Sequence, residues 1–189
     1  MPRVAIIDCD AASPDEDFNG RNVARWLLDP GDGDAGWSFT HVRPKVPGEL
    51  PRSVDAFDGY VIPGSRSMVT EREGWMEEVE ALIRAANAKG KPLVGMCFGH
   101  QIIGRALGGT VAPVAVNGEK MNNAVDEIVL TAEAAPYGLS GETSASGSLR
   151  LMKGHEQQLV ELPPDSTLLG SSTSTAIEVW SNASGNVLC

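Results

Sequence analysis

The sequence has few of the residues that several functional classes require. Its 189 residues include three cysteines and three histidines, with no Cys-x-x-Cys pair and no Cys/His cluster. Neither a disulfide framework nor a zinc site is therefore predicted, and widely spaced cysteines favour a reducing, cytoplasmic location. No apolar run approaches the roughly 20 residues that a membrane-spanning helix needs, so we expect no membrane association.

Positive charge is also scarce. Fifteen Lys and Arg residues face 25 Asp and Glu residues, and the resulting net charge of −10 argues against a nucleic-acid partner. The chain has neither a P-loop nor a dinucleotide-binding fingerprint, so we expect no cofactor and no metal. Since no linker or internal repeat interrupts the sequence, residues 1–189 are predicted to form one domain.

Short apolar runs alternate with helical patterns in the first half. Residues 4–7, 60–62 and 93–96 are apolar without interruption, as in parallel strands that are covered on both faces. Trp75, Val79 and Ile83 form one stripe of a helix that Gly90 ends. We also predict a helix at 20–28, a strand at 37–42 and a helix at about 98–107.

The second half shows short apolar segments that predict strands, at residues 128–130, 149–152, 168–169, 176–180 and 187–188. Residues 131–148 are rich in small and turn-forming residues, which predicts a loop with room for one short helix. The whole pattern predicts a doubly wound α/β fold, with a mostly parallel sheet, helices on both faces and short antiparallel strands in the second half.

The most specific local feature is Gly-Met-Cys-Phe-Gly at residues 95–99, between a strand and a helix. It is a G-x-C-x-G form of the nucleophile elbow, a turn so tight that only glycine fits two positions before and after the nucleophile. The turn places Cys97 at a helix N-terminus, where we expect its pKa to fall below about 8.5. A buried structural cysteine is the alternative, and the flanking glycines argue against it.

Residues 95–101, Gly-Met-Cys-Phe-Gly-His-Gln, resemble the nucleophile motif of class I glutamine amidotransferases, and the run 95–109 is similar to their GMP-synthase-like branch. Residues 57–65 resemble the strand and loop that supply an oxyanion donor there. Residues 7–10 and the histidine-bearing segment 152–163 resemble a stand-alone branch that includes plant γ-glutamyl peptidases. The resemblance implies a flavodoxin-like sheet.

The same resemblance implies roles for particular residues. Cys97 would attack the γ-carbonyl of glutamine or of a γ-glutamyl compound, a small-molecule substrate, and form a thioester. Backbone N–H groups near Gly64 and at Phe98 would hold the oxyanion. Gln101 would contact the substrate, and His155 would line the pocket without acting as the base.

A thiol nucleophile needs a base and an acid that orients the base. In the resembled family these are a His-Pro-Glu triplet after a Gly-Asn-apolar run, and the sequence stops at such a run, residues 184–189. We therefore expect the domain to lack its C-terminal end. His41 is predicted on a distant strand, and His100 is expected to be structural. A substitute triad through His155 and Glu156 is disfavoured because adjacent strand residues point to opposite faces.

These observations support a cysteine-dependent glutaminase or γ-glutamyl hydrolase. Two alternatives stay open: a non-catalytic binding protein that keeps the pocket, and a glutaminase subunit that delivers ammonia to a separate synthase. Asp8 and Asp10 end the first predicted strand, and we expect them to cap loops rather than bind substrate.

Overall fold

The computed structural model describes residues 1–12, 36–114, 122–139 and 148–189, and the account that follows is confined to them. The predicted helix at 20–28 lies outside these residues. No helix in the described ranges is both long enough and apolar enough to cross a membrane.

The first half of the chain builds the parallel part of the sheet. Its four strands run in the order β2-β1-β3-β4, and every neighbouring pair is parallel. The elements are β1 (Arg3–Ile7), β2 (Ser38–Val42), β3 (Gly59–Ile62), helix α1 (Gly74–Ala88), β4 (Leu93–Gly95) and helix α2 (Phe98–Ala106). Each was predicted within a few residues, because the apolar runs and helical stripes are strong local signals.

The described residues of the second half contribute seven strands. They are β5 (Thr110–Pro113), β6 (Asn122–Leu130), β7 (Ser148–His155), β8 (Gln157–Glu161), β9 (Ser166–Ser171), β10 (Val179–Asn182) and β11 (Val187–Leu188). The full sheet has the order β2-β1-β3-β4-β11-β10-β9-β6-β7, and β5 pairs with β8 separately. Strand β11 is parallel to β4, and the pairs beyond it are antiparallel.

The fold class is therefore confirmed, with differences in detail. Strands β6 and β7 are nine and eight residues long, so they are longer than the predicted segments. Strands β5 and β8 were not predicted, since their mixed polar and apolar residues give no clear period. Three short 3₁₀ helices complete the described fold: Val54–Ala56, Val69–Glu71 and Ala132–Tyr137.

The main core lies between the sheet and the two α-helices. Alternate strand residues such as Ala5 and Tyr60 are buried in one cluster with Val79 of α1 and Ile102 of α2. Side chains two apart on a strand share a face, which explains why this set contacts the helices together. At the carboxyl end of the sheet Ile62 lies level with Gly95, so the loops after β3 and β4 meet there.

Candidate active site

The tight turn at Cys97 leaves no room for side chains at the two glycines that flank it. A Cβ atom added to Gly99 would lie 1.8 Å from the Ile62 carbonyl oxygen, and one added to Gly95 would lie 2.7 Å from the Gly99 carbonyl carbon. Cys97 itself has φ 53° and ψ −107°, a backbone region that side chains rarely occupy. The predicted steric reason for both glycines is thus confirmed, and the turn leaves the cysteine exposed.

The pKa of the Cys97 thiol is shifted in the direction opposite to the prediction. Desolvation by the surrounding protein raises the pKa of Cys97, and the hydrogen bond from the Phe98 N–H lowers it by less. The prediction of a lowered pKa is wrong, because one N–H donor at the helix end does not compensate for the lost hydration. The direction of this shift favours the neutral thiol over the thiolate.

Two backbone segments flank the sulfur. A Cβ atom on Gly64 would lie 3.6 Å from the Cys97 Cβ and 4.0 Å from its Sγ, so the loop after β3 passes directly beside the thiol. On the other side the Phe98 N–H reaches the sulfur. The Phe98 ring is buried and packs on Trp75, with ring centroids 6.0 Å apart.

The loop that carries Gly64 is fixed by side chains from other elements. The Asp10 Oδ1 accepts hydrogen bonds from the Ser65 hydroxyl and from the Arg66 backbone N–H, both at 2.8 Å. Lys45 donates to the Ser67 hydroxyl at 2.9 Å, and its ammonium lies 5.0 Å from the Trp75 ring centre. Asp10 thus caps a loop, as expected. The sequence did not predict that this loop is the one beside Cys97.

Gln101 and His155 converge on one carbonyl group. The Gln157 backbone oxygen accepts from Gln101 Nε2 at 2.7 Å and from His155 Nδ1 at 2.9 Å. Because a carbonyl only accepts, His155 carries its proton on Nδ1 and a lone pair on Nε2. Desolvation is the main cause that lowers the pKa of His155, which favours the neutral ring.

Gln157 was missed by the sequence reasoning. Its side chain is 3% exposed and reaches the 3₁₀ helix Val69–Glu71, where its Nε2 donates to the Thr70 hydroxyl and its Oε1 accepts from the Thr70 N–H at 3.4 Å. It therefore connects the segment that follows the Gly64 loop to Gln101 and His155. No local pattern in the sequence signals a contact between residues 87 positions apart.

The other two histidines are accounted for by packing and pairing. His100 stands edge-on to Trp180 at 6.2 Å, and burial, followed by the charge of His155, lowers the pKa of His100 to about 4. His41 lies on β2 and its Nε2 is 2.9 Å from the Asp8 carboxylate. All three histidines of the chain are described, and none is hydrogen-bonded to Cys97.

Two cavities meet at the thiol. Their volumes are about 260 and 180 Å³, and both are lined by the same five residues: Cys97, Gln101, Gly154, His155 and Gln157. The larger cavity extends towards Ile177 and Glu178, and the smaller one is enclosed by residues 65–68 and Glu156. Cys97 is therefore accessible from two sides.

A buried ionic cluster forms one wall of the larger cavity. The Lys153 ammonium bonds to Asp126 at 2.9 Å, Glu178 at 2.5 Å and Ser174 at 2.7 Å. Hydrogen bonds from Ser174 and Lys153 hold the pKa of the Asp126 carboxyl well below its usual range. The cluster joins the β6–β7 pair to the segment before β10, which stabilises that wall.

Comparison with known proteins identifies similar chains. Residues 34–165 match the family Glutamine amidotransferase class-I. The chain is 32% identical over 187 residues to Gamma-glutamyl peptidase 4 of Arabidopsis thaliana, across 94% of this chain and 70% of that protein. The chain belongs to the class I glutamine amidotransferase family.

Other members of the family match over less of their length. Gamma-glutamyl peptidase 3 of Arabidopsis thaliana is 31% identical across 72% of this chain and 55% of that protein, and Gamma-glutamyl peptidase 5 is 29% identical with 54% of its length covered. The chain thus spans between about half and 70% of the curated relatives' length.

Solved structures show the same architecture. A glutamine amido transferase from Methylobacillus Flagellatus aligns with a TM-score of 0.75 at 21% identity, across 96% of this chain and 66% of that one. A glutamine amidotransferase from Thermotoga maritima aligns with a TM-score of 0.70, also at 21% identity, across 99% of this chain and 73% of that one. At these identities the likeness concerns the fold alone.

Proposed function

We propose that this protein hydrolyses the γ-amide bond of glutamine or of a γ-glutamyl compound through a thioester on Cys97. The observation that carries the proposal is the placement of the thiol: Cys97 stands exposed on a strained turn between the Phe98 N–H and the Gly64 loop. Backbone groups on both sides of one nucleophile are what the tetrahedral intermediate of acyl transfer requires. The family's relatives named for γ-glutamyl peptide cleavage give further support.

The chemistry follows from these positions. The Cys97 sulfur attacks the γ-carbonyl carbon, and the carbonyl oxygen takes up negative charge between the Phe98 N–H and the backbone near Gly64. Collapse of this intermediate breaks the C–N bond, and the departing ammonia or amine takes the proton that the thiol lost. Water then attacks the thioester, releases the γ-carboxylate and restores the thiol. Gln101 and His155 would orient the substrate.

We propose that the base approaches the sulfur at the carboxyl edge of β4 and β11. Strand β11 is parallel to β4, and Leu188 is level with Val94, three residues before Cys97. Residues that follow in the same direction would therefore approach the level of the sulfur. We propose that residues 1–189 belong to one domain, in which a base oriented by an acid takes the proton of the thiol.

A second candidate function is a non-catalytic binding protein. The raised pKa of Cys97 and the lack of a hydrogen-bonded histidine beside it favour this reading for residues 1–189. A third outcome is a glutaminase that passes ammonia to a separate synthase. The three free thiols fit a reducing compartment, so we propose that the reaction takes place in the cytoplasm.

Covalent labelling separates these functions. The purified protein is incubated with the chloroketone analogue of glutamine, in which Sγ displaces chloride, and the mass of the protein is measured. We expect one adduct in the unmodified protein and in Cys9→Ala, since Cys9 is fully buried, and none in Cys97→Ala. Hydrolysis of glutamine and of γ-glutamyl peptides is measured with the same variants.

The outcomes are distinct. A Cys97-dependent adduct together with release of glutamate supports the hydrolase. Binding of glutamine in a calorimeter with neither adduct nor hydrolysis would leave the binding protein as the better description. Ammonia production that rises only when a synthase is added would point to the partnered glutaminase.

A further inference from the structure

We propose that Asp10 is a positioning residue for this reaction: it fixes the loop after β3 so that the Gly64 backbone stays beside the Cys97 sulfur. The inference rests on the proposed function, because it assigns to Asp10 the alignment of one oxyanion donor. The carboxylate itself does not touch the reacting atoms.

One carboxylate bonds to two successive residues of the loop and, through Ser65, restrains a third. Its Oδ1 accepts from the Ser65 hydroxyl and the Arg66 N–H, both at 2.8 Å, and its Oδ2 lies 3.5 Å from the Arg66 Nε. The Ser65 oxygen in turn accepts from the Ser67 N–H at 3.1 Å. Hydrogen bonds to an ionised acceptor are stronger and more directional than neutral ones, so this set holds the backbone firmly.

The bonds to Asp10 act on the residues next to Gly64. A Cβ atom placed on Gly64 would be in contact with Cys97, and Ser65 and Arg66, which follow it, are the residues that Asp10 binds. Asp10 is well suited to fix them because only 9% of its side chain is exposed and it lies three residues after β1, an inner strand of the sheet. The loop is thereby tied to the sheet rather than to solvent.

Other contacts around the loop are weaker or lie elsewhere. The Ser65 hydroxyl is also 3.1 Å from the Cys9 carbonyl oxygen, but that acceptor is uncharged. The Asp8 carboxylate accepts from the N–H groups of Asp10 and Ala11 within its own turn and also pairs with His41. Lys45 reaches the loop only at Ser67, three residues beyond Gly64. Removal of the Asp10 carboxylate therefore removes its charge-assisted hydrogen bonds to Ser65 and Arg66, the two residues that immediately follow Gly64.

If Asp10 positions the loop, its removal should slow the reaction of Cys97 with one reagent much more than with another. The chloroketone analogue of glutamine presents its ketone oxygen where the oxyanion would lie, so its reaction with Cys97 depends on the loop. Iodoacetamide alkylates the same sulfur without that requirement. A displacement of about 1 Å in a catalytic group costs on the order of a hundredfold in rate. We therefore expect Asp10→Ala to slow the chloroketone reaction about 10- to 100-fold and to change iodoacetamide alkylation less than about threefold.

Asp10→Asn and Asp58→Ala complete the experiment. The Asn variant keeps an Oδ1 acceptor for Ser65 and Arg66, so we expect it to recover the chloroketone rate to within about fivefold. Asp58 also accepts a backbone N–H, that of Arg3 at 2.7 Å, but it lies outside both cavities, so Asp58→Ala should react like the unmodified protein.

Equal slowing of both reagents in Asp10→Ala, or no slowing of either, would overturn the positioning role. The same follows if Asp10→Asn is as slow as Asp10→Ala. Failure of the unmodified protein to react with the chloroketone at Cys97 would instead contradict the proposed function, so the two failures are distinguishable. Circular dichroism of each variant confirms that it is folded before its rates are compared.

Discussion

The two backbone segments that flank the Cys97 sulfur are held in opposite ways. The elbow, residues 95–99, is fixed by exclusion, because any side chain at Gly95 or Gly99 would collide with neighbouring backbone. The loop at residues 63–68 is fixed by attraction, through side chains of Asp10 and Lys45 that come from other parts of the chain. Steric exclusion thus fixes the elbow, whereas the loop depends on individual hydrogen bonds that single substitutions can remove.

This difference predicts how each segment responds to substitution. A steric collision in a packed interior forces the backbone to move and affects the whole fold. Loss of one polar contact in a loop leaves the surrounding sheet in place and changes mainly local alignment. Variants of the elbow should therefore lose stability, whereas variants of the loop should lose alignment first.

The largest effect is expected from Gly99→Ala. The new Cβ would lie 1.8 Å from the Ile62 oxygen, so we expect the free energy of unfolding to fall by about 4 kcal/mol or more. Urea unfolding followed by tryptophan fluorescence measures it. Gly74→Ala is the matched control, since a Cβ there meets nothing within 4 Å, and it should be neutral or stabilise by up to about 1 kcal/mol. Equal stability of the two variants would contradict exclusion at the elbow.

The second largest effect, about 3 kcal/mol in the free energy of unfolding, is expected from protonation of His100 in the helix that follows the elbow. The pKa of His100 is lowered to about 4, so between pH 6.5 and 4 the unfolded chain binds a proton that the folded chain does not. The free energy of unfolding therefore falls as the pH falls through this window, and His100→Gln should remove about 3 kcal/mol of that fall.

Urea unfolding at pH 6.5 and pH 4 provides the measurement for this titration. His155→Gln is the comparison, because the pKa of His155 is also lowered and contributes to the fall in the same direction. An unchanged pH dependence in His100→Gln would show that the ring is not buried in its neutral form.

The smallest effect is expected from Gln157→Leu, which cuts the contact between β8 and Thr70. Two hydrogen bonds to Thr70 would be lost, and since Thr70 is exposed and water can replace them there, we expect destabilisation of about 1 kcal/mol. Gln158→Leu is a control on the same strand, because the Gln158 Oε1 is buried without a hydrogen-bond partner in the described part of the chain. That variant should be neutral or slightly stabilising, and the reverse order of the two would contradict the assignment of the contacts.

The elbow could be predicted from the sequence, and the contacts that hold the loop could not. The elbow, the parallel strands and the two α-helices of the described ranges were predicted because glycine spacing and apolar periodicity are local signals. The contact of Asp10 with Arg66 spans 56 positions and that of Gln157 with Thr70 spans 87, and no period in one sequence encodes such pairs. The direction of the Cys97 pKa shift was wrong for a related reason, since desolvation depends on every element packed around the sulfur.

The left-handed backbone at Cys97 links the reactivity of the chain to its folding. A non-glycine residue in this region is strained by about 1–3 kcal/mol and stays there only while its surroundings hold it. Those surroundings include the Ile62 carbonyl of β3, which lies about 35 residues earlier in the chain and also accepts a hydrogen bond from the Met96 N–H at 3.0 Å. In a nascent or partly unfolded chain Cys97 is therefore an ordinary cysteine, and its strained backbone geometry is formed only when the parallel half of the sheet has assembled.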